Sequence, residues 1–188
     1  MCAVFGLYGF PIESAPKDKK EDAIHGTFLK FGGLLKEVGL SALSSHKLSI
    51  KFEIDTNPPK GGNLTTTLVN KTYIINITHF DLPSAFATKL HMCFYRKFTK
   101  GRDFYDFIWY VSKKVKPNYT LLNNAIEQTE GASPCLNEGN FKEFLLRNIK
   151  RINFNQVKKD VERFLEDKGE LKLFDKGTIT SSIESVYL

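Results

Sequence analysis

The stretch DLPSAFATKLHMCFYRKFTKGRDFYDFIWYVSKKVKP, residues 81–117, encodes a pair of helices separated by one glycine. Pro83 suits a first helical turn because it has no N–H to leave unpaired, and Asp81 is placed to cap that turn. Phe86, Leu90 and Phe94 recur every four residues, so they predict a buried stripe on a helix running to about Phe98. Gly101 breaks the period. A second helix is predicted from near Asp103, with Phe104, Phe107, Ile108, Val111 and Val115 turned inward and Pro117 closing it.

The same stretch concentrates the charge. Between Ala85 and Pro117 eight basic residues (Lys89, Arg96, Lys97, Lys100, Arg102, Lys113, Lys114, Lys116) face only Asp103 and Asp106, a balance of +6 that equals the formal charge of the whole chain. A concentrated basic segment implies an anionic partner such as a nucleotide, nucleic acid or lipid headgroup; a solvated helix face is the other reading. Lys89 and Arg96 lie seven residues apart and return to within about 20° of one helix face, and Lys100 joins them if the helix persists that far. Asp103 and Asp106 stand at i, i+3 at the start of the second helix, opposite its apolar face. KGRDFYD thus sets a cationic row and a carboxylate pair on either side of one glycine. Arg102, Asp103 and Asp106 also suit plain capping and ion pairing.

Upstream, residues 2–10 suggest a short strand, and Lys17–Asp22, after two prolines, a loop. From Ala23 to Leu35 the residues Ile24, Phe28, Phe31, Leu34 and Leu35 have helical spacing and predict an amphipathic helix, with Gly39 as a stop. Leu48–Asp55 is the clearest strand: Leu48, Ile50, Phe52 and Ile54 alternate with Ser49, Lys51, Glu53 and Asp55. Pro58-Pro59 and Gly61-Gly62 end it. Leu64–Val69 and Tyr73–Thr78 are Thr- and Ile-rich and predict a hairpin, expected in one mixed sheet with residues 48–55. Downstream, residues 128–140 read as a loop, Phe141–Ile152 and Gln156–Asp167 as a helical hairpin, and the polar tail from Gly177 as mobile. The predicted fold class is α/β (α+β): a sheet flanked by helices over residues 1–117, then a small helical region over 118–188.

Composition narrows the classes further. At 188 residues the chain is one domain or a domain with an appendage, and at this size roughly 70% of the unfolded surface can be buried. Hydrophobic residues at 41% and charged residues at 26% exclude low-complexity and disordered classes. No apolar run approaches the ~20 residues of a membrane-spanning helix, and the apolar opening has no basic flank that would mark a signal peptide. Three widely spaced cysteines, Cys2, Cys93 and Cys135, speak for a reducing cytoplasm rather than a disulfide framework. The Asn-x-Thr triplets at Asn63, Asn70, Asn76 and Asn118 then mark a Thr-rich sheet, not glycosylation.

Other chemistry is thin. Glu53 and Asp55 share a strand face and offer carboxylate oxygens of the kind Mg²⁺ takes, or form an ordinary solvated face with Lys51. The four histidines show no zinc spacing. There is no GxSxG, Walker A or GxGxxG.

LSIKFEIDTNPPKG followed by DLPSAFATKLHMCFYRKFTKGRDFYDFIWYV resembles the AbiEii/AbiGii abortive-infection nucleotidyltransferases, the toxins of bacterial type IV toxin–antitoxin systems. The resemblance spans roughly residues 20–116 and is most specific at KGRDFYD. It implies a cytoplasmic nucleotidyltransferase that uses Mg²⁺ and moves a nucleoside monophosphate from a nucleoside triphosphate to an RNA (tRNA) or protein acceptor, with a cognate antitoxin and no membrane partner. It implies a metal ligand at Asp55 or Glu53, Asp55 being favoured. Lys89 matches the family's motif-III lysine, expected on nucleotide phosphate, with Arg96, Lys100 and Arg102 as further nucleotide-binding cations. Asp103 and Asp106 match the two aspartates of RDxxD and would organise the base and acceptor side, with Asp55 and Asp103 facing one cleft. The family's first motif, a Gly-Gly or Gly-Ser turn followed by D-x-D, has no counterpart: Gly32-Gly33 leads into LLKEVG, and D-x-D occurs nowhere. The chain is therefore expected to be the later part of a longer protein, or a decayed or repurposed homologue, and inactive by itself. The alternative function is a non-catalytic module that binds nucleic acid or protein through the basic helix pair.

Overall fold

The computed structural model describes Gly9, residues 12–16 and residues 23–187. The strand expected at 2–10 and the loop at 17–22 lie outside them, Gly9 excepted. The chain divides into two compact units, one ending at Pro58 and the other beginning at Pro59.

In the first unit β1 (Ile12–Pro16), β2 (Ile24–Gly32) and β3 (Lys47–Asp55) form an antiparallel sheet with β2 in the centre. Ile24 pairs with Asp55 and Gly32 with Lys47, so β3 has the extent that its alternation predicts. The helix expected at 23–35 is instead β2. Its buried side chains are Leu29 and Phe31, two residues apart, as on one face of a strand. The spacing of Ile24, Phe28 and Phe31 mixes residues from both faces, and Gly26, Gly32 and Gly33 weaken a helix by about 1 kcal/mol each. Ladders on both sides of β2 satisfy its backbone instead. Helix is confined to a single turn, α1 (Leu34–Glu37), and Gly39, at φ 73°, follows it and donates its N–H to Lys36 O at 3.0 Å.

The second unit opens with the predicted hairpin, β4 (Leu64–Asn70) and β5 (Ile74–Phe80). Strands and helices are combined as expected, but the hairpin and β3 do not share a sheet; the described strands form two antiparallel sheets. The hairpin's open end is fastened to the next helix. Asp81 N–H donates to Asn63 O and Asn63 N–H to Ser84 Oγ, each at 3.0 Å.

That helix, α2 (Leu82–Tyr95), is capped by Asp81, whose carboxylate accepts from Ser84 N–H at 2.8 Å. It stops three residues short of Phe98, at an extended Arg96. Next come α3 (Gly101–Ser112), α4 (Tyr119–Glu130), α5 (Glu138–Arg151) and α6 (Phe154–Val161), then short 3₁₀ turns and α7 (Lys176–Val186). The α-helix expected over Gln156–Asp167 thus ends at Val161. The loop expected at 128–140 shrinks to 131–137, because Gly131 ends α4 in the left-handed region and Asn137 caps α5. The tail is helical rather than mobile. Asp175 caps α7, and Ile179, Ile183 and Tyr187, at four-residue spacing, bury a stripe within an otherwise polar segment.

Phe86, Phe104, Phe107, Phe141, Phe144 and Phe174 are fully buried in one cluster. Phe86 stacks on Tyr110 at 4.8 Å and meets Phe141 edge-on at 6.4 Å. The boundary expected at 117/118 falls inside this core. Tyr187 spans it, donating its hydroxyl to Val115 O at 2.8 Å.

Burial raises Tyr187, and burial with the nearby Glu138 pushes Tyr119 up to about 12. Both phenols stay protonated in the folded state after those of the unfolded chain ionise, at about pH 10. Their contribution is present below that value and is lost as pH rises through the folded pKa. Thermal melts are expected to fall steeply between about pH 10 and about pH 12, and less so for Tyr187→Phe. A melting temperature that stays level across that window contradicts the assignment.

Candidate active site on the α2–α3 pair

Asp103 lies in the first turn of α3 and is 3% exposed. Its two oxygens take one cation from α2 and one from the residue just past its end: Lys89 Nζ at 3.0 Å on Oδ1 and Arg96 Nη1 at 2.6 Å on Oδ2. Lys89 also reaches Asp106 Oδ2 at 2.8 Å. The seven-residue spacing on α2 and the i, i+3 spacing on α3 therefore meet face to face. Burial pulls the Lys89 ammonium toward neutrality, but hydrogen bonds to Asp106 and Asp103 outweigh it and hold its pKa above the ordinary lysine value. Lys89 is thus a fixed charge. Of its three donors two are spent on carboxylates, and the third can take a further oxygen. Asp106, about half exposed, forms the solvent side of the group. Cys93 lies beneath it and donates from Sγ to Asp103 O at 3.3 Å; burial raises its thiol well above the ordinary value.

The start of α3 is seated on α6. Gly101 N–H donates to Asp160 Oδ2 at 2.5 Å, and a Cβ on Gly101 would meet Val157 O and Val161 N at 2.6 Å. Lys100 is the residue before α3, and with Arg102 it lines a cavity shared with Asp160 and Arg163. Arg102 also borders a cavity of about 340 Å³ with Tyr105, Asp106, Glu166 and Glu170. There the charge of Glu170 and a hydrogen bond to it raise the Tyr105 phenol. Asp160, Tyr105 and Glu170 carry no sequence signal, since the first is 59 residues from its partner.

The structure therefore joins Lys89, Arg96, Asp103 and Asp106 into one network and sets Arg102 beside it. Glu53 and Asp55 belong to the first unit. Glu53 pairs with Lys51, and Asp55 Oδ1 accepts from Asn57 N–H at 2.9 Å.

The family model for the nucleotidyl transferase AbiEii toxin of type IV toxin–antitoxin systems matches residues 4–178. The chain belongs to the AbiEii family. No curated protein and no solved structure matches it. Membership makes this AbiEii chain a nucleotidyltransferase-like toxin, and the family's general properties include a nucleotide substrate and an antitoxin partner. The match also takes in α4, α5, α6 and the start of α7, well past the roughly 20–116 that the sequence motifs carry. Among the described residues no helix is long and apolar enough to cross a membrane.

Nucleotidyltransferases generally work with divalent metal, and two such ions need several shared carboxylates. Among the described residues of this AbiEii chain no three His, Cys, Asp or Glu side chains are grouped to hold an ion. Glu53 and Asp55 are two adjacent carboxylates, already engaged by Lys51 and Asn57. By themselves they do not fit a two-ion centre.

Proposed function

We propose that this AbiEii chain binds the phosphates of a nucleoside triphosphate at the Lys89–Arg96 edge. Its toxin activity is then transfer of a nucleoside monophosphate from that triphosphate to an RNA, such as tRNA, or to a protein. The observation that carries the reading is the Lys89 ammonium, held charged between Asp103 and Asp106 with one donor to spare. Lys89 and Arg96 neutralise triphosphate charge; Asp103 is a positioning residue that fixes both; Asp106 sits where base or acceptor approaches. Transfer needs metal-holding carboxylates beyond those grouped in the described residues, Asp55 being the proposed contribution of β3.

Calorimetry with each nucleoside triphosphate tests the binding half. Lys89→Ala and Arg96→Ala are each expected to weaken affinity about tenfold, the size of one charge-assisted hydrogen bond, and added salt to weaken it further. Unchanged affinity in both variants favours the non-catalytic module that binds nucleic acid or protein through the basic helices. Radiolabel transfer and intact-mass measurement test the other half. Residues 1–188 alone are expected to label neither RNA nor protein. Mg²⁺-dependent labelling by that chain would show that its carboxylates do form a working metal centre.

A further inference from the structure

Behind the Lys89 network, where α2 ends against α5, lies a second cavity of about 520 Å³ bordered by Tyr95, Arg96, Glu130, Arg147, Asn148 and Arg151. Three guanidinium groups face it against one carboxylate. Arg96 spends one N–H of its five on Asp103. Arg147 and Arg151 form no ion pair with any described residue. They stand one turn apart on α5, so both heads reach the same opening. A cation at a helix C-terminus offsets the helix dipole, and that accounts for Lys150 and Arg151. It does not account for Arg147, a turn earlier, which no ion pair among the described residues holds; Arg96, just past the end of α2, borders the same cavity while paired with Asp103. Their field is felt locally: burial and Glu130 hold the Tyr95 phenol above its ordinary value, while Arg147 and Arg151 oppose them.

We infer that the cavity of Arg147 and Arg151 is a second phosphate-binding site, which borders the Lys89–Arg96 edge through the shared Arg96 and does not include Lys89. Guanidinium forks match phosphate oxygens in pairs, and two arginines with no ion pair among the described residues, beside a polar cavity, are the arrangement such a group takes. The phosphate comes either from the triphosphate tail of a nucleotide or from the backbone of a polynucleotide. The site adds to the function proposed above and rests on it only for the choice of ligand.

Binding of inorganic tripolyphosphate and of a short single-stranded RNA to the full chain, with Arg147→Ala, Arg151→Ala and Lys150→Ala, decides it. Lys150 is an exposed cation on the same helix outside the cavity, so its variant controls for net charge. Each arginine variant is expected to weaken one of the two ligands about tenfold and Lys150→Ala neither by more than about twofold. Loss of RNA alone assigns the site to a polynucleotide backbone, and loss of tripolyphosphate assigns it to the nucleotide tail. Equal losses in all three variants, or none, overturn the site. The Lys89→Ala result is read separately, so failure of the triphosphate reading and failure of this site are distinguishable.

Discussion

Asp103→Ala is expected to destabilise the second unit by about 3 kcal/mol, the lower end of the cost of removing one partner from a buried ion pair. Arg96 loses its carboxylate and Lys89 one of its two, while Lys89 and Arg96 keep side chains 18% and 31% exposed, through which water partly replaces it. Asp106→Ala removes a carboxylate that is already half in water and is expected to cost about 1 kcal/mol or less. Chemical denaturation of the two variants measures the contrast. Equal costs would mean that Asp103 is not the centre of the network.

Gly101→Ala is expected to cost about 2–3 kcal/mol, as overpacking does where neighbours cannot yield. The atoms a methyl group would strike, Val157 O and Val161 N at 2.6 Å, are backbone of α6 and cannot rotate away. Relief requires α3 to lift from α6, which also stretches the Gly101–Asp160 hydrogen bond. Gly131→Ala is the comparison: it is strained by its left-handed backbone but meets nothing within 4 Å, and about 1 kcal/mol is expected. Thermal unfolding should rank Gly101→Ala well below Gly131→Ala; similar melting temperatures would remove the close-approach argument.

Local signals carried the helix pair, its Asp81 cap, β3 and the β4–β5 hairpin. They also brought together the four residues of the α2–α3 network, because two helical spacings that face each other across a turn are written in adjacent sequence. β2 was misread because its apolar residues fall on both strand faces and imitate a helical period, and only pairing with β1 and β3 resolves that. α7 was missed because three apolar residues in a polar tail count for little until a core is there to receive them. Long-range polar contacts left no trace, as with Gly101 and Asp160. Counting charge along the chain found the basic segment but not its neutralisation, since Asp103 answers cations that lie on another helix. The arginines of α5 sat within what read only as an apolar stripe.

The aromatic cluster that runs through both sides of Pro117 has a consequence for inheritance. A crossover between two related genes at 117/118 would unite Phe86, Phe104 and Phe107 from one parent with Phe141, Phe144 and Phe174 from the other. Rings that interlock at this density tolerate foreign partners poorly, so such chimaeras should be recovered rarely. A crossover at 58/59 separates no two members of that cluster. The KGRDFYD block and the helices after it are therefore expected to pass between lineages as one piece.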